Sequence, residues 1–215
     1  MHLKRQEVPR KWPIPRKGSV YVVRPNSNLE NGIPVLVVLR DMIKVAQNRK
    51  EVKRAIHLRQ ILVNEKPVTD DKRAVSLFDV ITIVPTKKHY VIELSKNRKF
   101  EAKEIEGNKS GSKVVKVIGK KILKQKKIQL NLSDGSNILS DKDYKINDSI
   151  VINLKDKKVG KHLSMKENAN VVIFDGKHAG ENGKIEKINP EHKMAEVEVG
   201  GKKVSVLIKQ IIVVE

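Results

Sequence analysis

The apolar residues between Pro34 and Lys50 recur at the spacing of an amphipathic helix. Four of them share one face of that helix: Leu36, Leu39, Ile43 and Ala46. The polar residues Arg40, Lys44 and Gln47 fall on the opposite face. The pattern therefore predicts a helix over residues 34–50 with its apolar side against a core.

A second helix is predicted over residues 51–60, with Val52 and Ile56 facing inward. Its outward face carries a row of cations at helical spacing: Lys50, Lys53, Arg54 and His57. Solvated helix faces are also charged, but they usually mix both signs. Glu51 is the only acid within this row, which Arg59 extends. The one-sided charge favours a polyanionic partner over a merely solvated face.

Alternating apolar and polar residues predict strands over most of the remaining chain. A hairpin is predicted around an Asn64-Glu65 turn, and a strand follows over residues 76–84. Further strands are predicted in the middle of the chain and near its C-terminus: 90–94, 100–105, 128–132, 150–154, 171–174, 184–188, 195–199, 204–208 and 210–215. The combination predicts an α+β chain with several domains.

Three glycines, Gly176, Gly180 and Gly183, follow the strand at residues 171–174. Such spacing permits positive φ angles and also occurs in loops that bind nucleotide phosphates. A phosphate loop is followed by a helix, whereas here the strand 184–188 follows. The pattern favours a glycine-centred loop between strands of a small barrel.

The first 33 residues are basic and rich in proline. Five prolines between Pro9 and Pro34 disfavour a long helix, so an extended arm with few apolar residues to hold it in place is predicted. Trp12 lies near Lys11, Arg16 and Lys17. Its indole could stack on a base or ribose while the cations hold phosphates, or it could anchor the arm to the first domain.

Composition narrows the class of protein. The chain has 45 Lys and Arg against 25 Asp and Glu, which gives a net charge of +20 and favours a polyanionic neighbour that offsets the repulsion among the cations. It has no cysteine, so disulfides and cysteine-based zinc sites are excluded. Aromatic residues make up only 3% of the chain, which predicts recognition of RNA phosphates and shape rather than stacked bases. No apolar run is long enough for a membrane span or a secretory signal, so a soluble protein is predicted.

A lysine-rich stretch precedes the strand at residues 128–132 and is predicted to be an exposed strand edge facing RNA. Its lysines are Lys113, Lys116, Lys120, Lys121, Lys124, Lys126 and Lys127. Lysines on exposed strands also block aggregation, and for any one of them that explanation is sufficient.

Catalytic and metal-binding motifs are not found in the sequence. It contains no Walker loop, HExxH or GxSxG motif, and its six histidines lack metal-ligand spacing. We therefore expect no enzyme activity, no metal and no cofactor.

Several segments resemble a known family. The helices, the hairpin, Asn64, Lys66 and Asp79 resemble the αL RNA-binding module. The segments HLKR (2–5), LRD (39–41), FDVITI (78–83) and QLNLSDG (129–135), together with the late glycines, resemble the archaeal and eukaryotic type of small-subunit ribosomal protein four. The chain departs from the usual Asn-Gly-Lys turn, having Glu65, and from the usual glycine before the strand aspartate.

The resemblance implies four parts: a basic N-terminal arm (1–33), an αL-type RNA-binding module (34–85), a central β-rich domain (86–168) and a C-terminal SH3-like barrel with a KOW motif (169–215). It implies a structural role in the cytoplasmic small ribosomal subunit, with its rRNA and neighbouring ribosomal proteins as partners and no membrane or small-molecule substrate. From charge, position and resemblance together, the residues expected to contact RNA are His2, Lys4, Arg5, Lys11, Trp12, Arg16, Lys17, Arg40, Lys50, Lys53, Arg54, His57, Arg59, Lys66, Lys116, Lys120, Lys177, His178 and Lys184.

Two other functions remain open at this point. One is a KOW-bearing RNA chaperone or transcription-associated factor. The other is an RNA-modifying enzyme that uses the module as an accessory domain, although only about 70 residues would remain, too few for the large catalytic domain that such an enzyme needs.

Overall fold

The apolar stripe at residues 34–50 is only partly helical in the structure, a computed structural model that describes residues 2–123, 127–140 and 142–214. Helix α1 (Val35–Val37) continues as a π-helical turn over Val38–Met42. It ends there because Lys44 adopts a φ of +61° and the N–H of Val45 donates to the carbonyl of Leu39 at 3.0 Å. The predicted helix is therefore correct in type but too long.

Helix α2 (Arg49–His57) is the second predicted helix, and it begins two residues earlier than expected. Asn48 caps its N-terminus, since the Asn48 side chain accepts a hydrogen bond from the N–H of Glu51 at 3.0 Å. The Glu51 carboxylate accepts in return from the N–H of Gln47 at 2.7 Å. The sole acid of the cationic row thus stabilises the start of the helix.

The chain folds as two units, residues 1–111 and 112–215. The strands of the first unit are β1 (Leu3–Lys4), β2 (Tyr21–Val22), β3 (Gly32–Pro34), β4 (Ile61–Val63), β5 (Lys66–Pro67), β6 (Ala74–Ser76), β7 (Val80–Ile83), β8 (Lys88–Leu94) and β9 (Phe100–Ile105). Five of them form an antiparallel sheet in the order β5-β4-β7-β8-β9, while β1 pairs with β2 and β3 with β6. The predicted domain division after residue 85 crosses this sheet, because β7 and β8 form a hairpin.

One apolar core joins the helices of the first unit to this sheet. This core buries Leu36 of α1 and Leu39 of the π-helical turn, together with Val52 and Ile56 of α2. The sheet contributes buried residues from four strands: Ile61, Val63, Ile81, Ile83, Ile92 and Phe100. This burial confirms the inward face predicted for α2. The first helix is instead buried around its whole circumference, because Val35, Val37 and Val38 are buried as fully as Leu36 and Leu39.

The N-terminal segment is packed against this core rather than extended without support. Leu3 and Trp12 are 4% and 2% exposed and belong to the same apolar cluster. The indole N–H of Trp12 donates to the carbonyl of Gly32 at 3.1 Å, and the N–H of Phe100 donates to the carbonyl of Lys11 at 2.7 Å. A single large aromatic side chain therefore supplies much of the apolar area that we expected the arm to lack.

The second unit contains two five-stranded antiparallel sheets. The strands of the first are β10 (Ser112–Ile122), β11 (Ile128–Leu132), β12 (Asn137–Ser140), β13 (Ser149–Asn153) and β14 (Val159–Leu163), in the order β12-β11-β10-β13-β14. The strands of the second are β15 (Asn170–Ile173), β16 (Asn182–Asn189), β17 (Met194–Val199), β18 (Lys202–Leu207) and β19 (Ile211–Val213), in the order β18-β17-β16-β15-β19. The last strand returns to pair with β15, where Val171 lies opposite Val213.

The predicted α+β class needs correction, because the fold is dominated by β-structure. Within the described ranges, α- and π-helix is confined to residues 35–42 and 49–57. The remaining elements are strands and single 3-10 turns, since the alternating pattern extends over most of the chain. Among residues 2–123, 127–140 and 142–214, no helix has the length and apolar character needed to cross a bilayer.

The three glycines after β15 have different roles. Gly176 and Gly180 each have a φ of +89°, which a residue with a side chain adopts only with strain. Gly183 has no positive φ, but a Cβ atom there would lie 2.3 Å from the carbonyl oxygen of Glu198 and 2.7 Å from Cγ1 of Val197. Close approach of β16 and β17 explains this glycine.

We predict that Gly183→Ala destabilises the protein by about 2 kcal/mol or more, because neither a carbonyl nor a buried valine can move aside freely. Chemical denaturation of the full chain measures the change in unfolding free energy. Gly119→Ala is the matched control, since its nearest neighbour would lie 3.7 Å from the new Cβ. Equal stability losses in both variants would contradict the explanation.

Candidate nucleic-acid interface

The outward face of α2 is a cationic row that the core packing leaves in solvent. Lys50, Lys53, Arg54 and His57 all have exposed side chains, as predicted. Arg49 precedes the row, and its Nε atom lies 2.6 Å from Oδ2 of Asp71, whose side chain is 3% exposed. This partly buried ion pair fixes the first turn of the helix to the segment after β5. The row is therefore carried by a helix held both by its core and by its first residue.

Arg59 ends α2 in a conformation that normally belongs to glycine. Its φ is +54°, and two hydrogen bonds close the helix: Arg59 N–H to Ile56 O at 2.9 Å and Gln60 N–H to Ala55 O at 3.0 Å. This is a Schellman motif, in which glycine is preferred at the left-handed position. An exposed arginine at this site extends the cationic row at some cost in backbone strain.

The hairpin between β4 and β5 is fixed to the neighbouring strand β7 through a side chain. Asn64 and Glu65 have φ angles of +52° and +62°, as a type I′ turn requires. The Asn64 amide donates to Oδ1 of Asp79 at 2.7 Å and accepts from the N–H of Val80 at 3.0 Å. Asp79, 5% exposed, also accepts from the N–H of Ser76 at 2.7 Å. The predicted turn is confirmed, with Glu65 at a position that glycine usually occupies.

Most of the residues expected to contact RNA are exposed. In the first unit these are His2, Lys4, Arg16, Lys17, Lys50, Lys53, Arg54, His57, Arg59 and Lys66. In the second unit they are Lys120, Lys177 and Lys184. Exposure is necessary for binding but does not by itself demonstrate it, so these residues stay predictions.

Four other predicted residues are half-buried. Arg5 donates from its guanidinium to Pro15 O at 2.7 Å and to Ser19 O at 2.7 Å, so it holds the loop before β2. Arg40 forms a two-point contact with Asp41, at 3.0 and 2.9 Å, and this hydrogen bonding raises the pKa of Arg40. His178 lies 2.9 Å from Glu181, and Lys11 is the fourth.

The base-stacking role considered for Trp12 is wrong, and the alternative role as an anchor is correct. Its indole is 2% exposed, and the indole N–H donates to the carbonyl of Gly32, so no base can reach either ring face in this fold. The pattern of cations around Trp12 could not reveal this, because the decisive contact is made with residues 20 positions away.

The RNA-contacting role expected for Lys116 is also wrong. Strand β10 lies at the centre of its sheet rather than at an edge, and Lys116 is 3% exposed. Its Nζ atom donates to the carbonyls of Ile208 and Ile211, the latter at 2.8 Å. Lys113 is buried as well, with its Nζ atom 2.9 Å from Asp134. These two lysines form contacts within the second unit. The predicted RNA-facing lysines are therefore only the exposed ones of this stretch.

The rest of that lysine-rich stretch differs from residue to residue. Lys120 has an ion pair with Asp143 at 2.6 Å, and Lys121 and Lys127 are exposed. Lys124 and Lys126 lie outside the described residues.

Four residues near the N-terminus of α2 were not identified from the sequence as a site. Tyr21, Arg24, Arg49 and Lys72 line a cleft of about 410 Å³ together with His2. The available signal was weak: Val20, Tyr21, Val22 and Val23 form a short apolar run, and only the pairing of Tyr21 with Lys4 and of Val22 with Leu3 brings it to the cleft. Among the described residues, no group of three His, Asp or Glu side chains is arranged to hold a metal ion.

The fold and the exposed cations are those of a basic, β-rich protein built from more than one unit. Residues 1–27 match the RS4NT (NUC023) domain, and residues 86–159 match the ribosomal family S4e. The small ribosomal subunit protein eS4 of Methanocella arvoryzae is 36% identical over 190 residues, covering 87% of this chain and 80% of that protein. The protein of the same name from Archaeoglobus fulgidus is 40% identical over 187 residues, covering 86% and 79%.

A solved structure shows a similar fold. The crystal structure of the 30S ribosomal protein S4e from Thermoplasma acidophilum superposes with a TM-score of 0.75 and covers 86% of this chain and 95% of that one, at 22% identity. With relatives of 36–40% identity over most of their length, the chain belongs to the small ribosomal subunit protein eS4 family. The relatives described above are named as ribosomal proteins and not as enzymes, which agrees with the prediction of a non-enzymatic chain.

We predict that the buried Lys116 makes the free energy of unfolding of the protein rise with pH. Burial lowers the pKa of Lys116 to about 8 in the folded state, against 10.5 as the ordinary value for lysine. Between these values the unfolded chain binds more protons than the folded one, so the free energy of unfolding rises with pH across this window. The gain is on the order of 2 kcal/mol between pH 8 and 10.

Urea denaturation at pH 8 and pH 10 measures this gain, with Lys116→Met as the comparison that lacks the titrating group. Wild type should gain stability relative to Lys116→Met as the pH rises. Parallel pH dependences in the two proteins would show that Lys116 is not the buried, charged group described here.

We also predict that Arg59→Gly stabilises the protein by about 1 kcal/mol, because glycine adopts the left-handed conformation without strain. Thermal unfolding measures the shift, which should be a few degrees upward. Arg54→Gly is the control within the helix, where glycine should cost about 1 kcal/mol. A lower melting temperature for Arg59→Gly would contradict the assignment of strain.

Proposed function

We propose that this protein is a structural constituent of the small ribosomal subunit, where it binds and stabilises the rRNA through contacts with phosphates and RNA shape. The observation that carries the proposal is the exposed cationic row of α2, in a chain whose relatives are named small ribosomal subunit protein eS4. Its location would then be the ribosome, with neighbouring ribosomal proteins as further partners.

The first unit supports this function through an αL-type module. The proposed module combines two helices with a type I′ hairpin that the Asn64–Asp79 hydrogen bond fixes, and it exposes Lys66 and the row of α2. A rigid surface loses little conformational entropy when RNA binds to it. The module would contact the backbone of a folded RNA rather than read its bases.

The second unit supports a similar role through a KOW-type segment. Its glycines at positive φ place Lys177 in a tight loop between β15 and β16, and Lys184 follows on β16. Exposed lysines on a small rigid sheet can neutralise phosphates without a binding pocket. The arm, the module, the central strands and this segment would each hold a separate part of the rRNA.

The mechanism is charge neutralisation. Each Lys or Arg placed at a phosphate releases condensed counterions, so affinity falls as salt is added. With 6–10 phosphate contacts, affinity for small-subunit rRNA should fall by a factor of about 10³ or more between 50 and 200 mM salt. Filter binding of the full chain to transcribed rRNA measures this dependence, and a flat salt response would overturn the proposed mechanism.

The contribution of α2 can be isolated with a matched pair of variants. We predict that Lys53→Gln with Arg54→Gln lowers the slope of log affinity against log salt by about 2, because two phosphate contacts are lost. Both side chains are exposed, so the melting temperature should stay within about a degree.

The control is Lys88→Gln with Lys103→Gln, which removes the same charge from side chains that already have carboxylate partners. Lys88 lies 3.2 Å from Glu104, and Lys103 lies 3.9 Å from Glu93. Equal changes in salt slope for the two double variants would mean that net charge, and not the row of α2, determines binding.

A further inference from the structure

The N-terminal segment forms one wall of a cleft whose other wall is the first turn of α2. The cleft has a volume of about 410 Å³, within the range of sites that enclose a small ligand. Its lining includes two aromatic rings, those of His2 and Tyr21, and three cations, Arg24, Arg49 and Lys72. One concave surface therefore brings an aromatic pair together with three cations.

The aromatic pair is accessible. Tyr21 is 56% exposed, and its ring centroid lies 5.2 Å from that of His2, with the planes inclined at 44°. In a chain with only 3% aromatic residues, an exposed tyrosine beside an exposed histidine is unusual. The exposed face of either ring is a surface on which an unpaired base can stack, with the second ring at its edge.

The cations are suited to phosphate. Arg24 and Lys72 line the cleft. The side chain of Arg49 is 43% exposed and donates to Asp71 from two of its nitrogens, so its other N–H groups can donate to a ligand. No acidic residue is among the described residues that line the cleft. Asp71, the partner of Arg49, is buried and does not line the cleft, so the described side chains that border it include three cations and no carboxylate.

The cleft is held in shape by contacts that do not involve a ligand. Strands β1 and β2 pair through Lys4 and Tyr21, and Leu3 beside them is buried. On the far side, the N–H of Asn26 donates to the carbonyl of Lys72 at 2.9 Å, and its amide donates to Asp70 at 2.9 Å. A preformed site of this kind loses little entropy on binding.

We infer that this cleft receives a single unpaired nucleotide of the RNA, with the base stacked on the Tyr21–His2 pair and a phosphate held by Arg24, Arg49 and Lys72. The inference rests on the proposed function and adds to it a base-contacting site. Stacking is tolerant of base identity, so the site recognises an extruded nucleotide rather than a sequence. An acidic peptide would satisfy the cations but would leave the aromatic pair without a partner.

Two measurements on the full chain test this inference. First, ultraviolet crosslinking to transcribed small-subunit rRNA, followed by mass spectrometry, should join Tyr21 or His2 to a nucleotide that is unpaired in the RNA. Second, Tyr21→Ala should lower affinity for the same RNA about tenfold or more, while Tyr21→Phe should stay within about twofold of wild type. The salt slope should be unchanged in Tyr21→Ala, because no charge is lost.

The control is Val20→Ala, which truncates the equally exposed neighbour at 66% exposure and should leave affinity unchanged. By contrast, Arg24→Gln and Lys72→Gln should each reduce the salt slope by about 1. The crosslink on wild type does not depend on the variants folding, so its absence from both rings overturns the inference even if Tyr21→Ala is unstable.

The outcomes separate the two proposals. Failure of the wild-type protein to bind small-subunit rRNA removes the proposed function itself. Normal binding by wild type with unchanged affinity in Tyr21→Ala removes only the nucleotide site. Crosslinks from Tyr21 to a protein rather than to RNA would likewise remove it, in favour of a protein partner.

Discussion

The packing of α1 and α2 against one face of a five-stranded sheet determines what the first unit shows to its surroundings. Val52 and Ile56 are buried in that core, and each such side chain contributes about 1.5–3 kcal/mol. The repulsion among neighbouring exposed cations is smaller, about 0.2–0.5 kcal/mol for a helical pair. Burial therefore decides the orientation of α2, and the cationic row has to face outward. The Arg49–Asp71 contact then fixes the helix along its own axis.

A chain with a net charge of +20 has to keep most cations out of its cores, and the exceptions are informative. Lys113 is buried with Asp134 as its partner, whereas Lys116 is buried against carbonyl oxygens. Its lowered pKa expresses the cost of removing a charge from water. Arg59 shows the opposite compromise, since an exposed cation occupies a backbone position where glycine would be more stable. Both cases show local stability given up at single residues.

RNA recognition by phosphate contacts alone was the expectation from composition, and the fold adds a second possibility at one place. The pairing of β1 with β2 brings Tyr21 beside His2, and both residues line a cleft together with Arg24, Arg49 and Lys72. A low overall content of aromatic residues does not exclude such a site, because a single exposed pair is sufficient for one base. The buried Trp12, which looked like the obvious stacking residue, instead holds the segment that carries this pair.

Local periodicity was sufficient to predict the elements whose two sides differ in polarity. The outward face of α2, the Asn64-Glu65 hairpin and the strands of the last sheet follow from spacing, because neighbouring residues decide which side of an element is apolar. The family could also be predicted, because short segments such as LRD and FDVITI resemble it and can be recognised without the fold. Even the departures from the usual pattern had structural meaning, because Glu65 and Phe78 both adopt positive φ where glycine is usual.

Contacts between distant parts of the chain determine which charged and aromatic residues are available to a ligand. Trp12, Lys113 and Lys116 are buried by partners between 20 and 95 positions away, and no local pattern encodes such distances. The same holds for the cleft, whose lining comes from residues 2–26, 49 and 72. The end of α1 and the continuation of the sheet through β8 and β9 also depend on long-range pairing. Periodicity determines the face of an element, but packing between distant elements determines what that face meets.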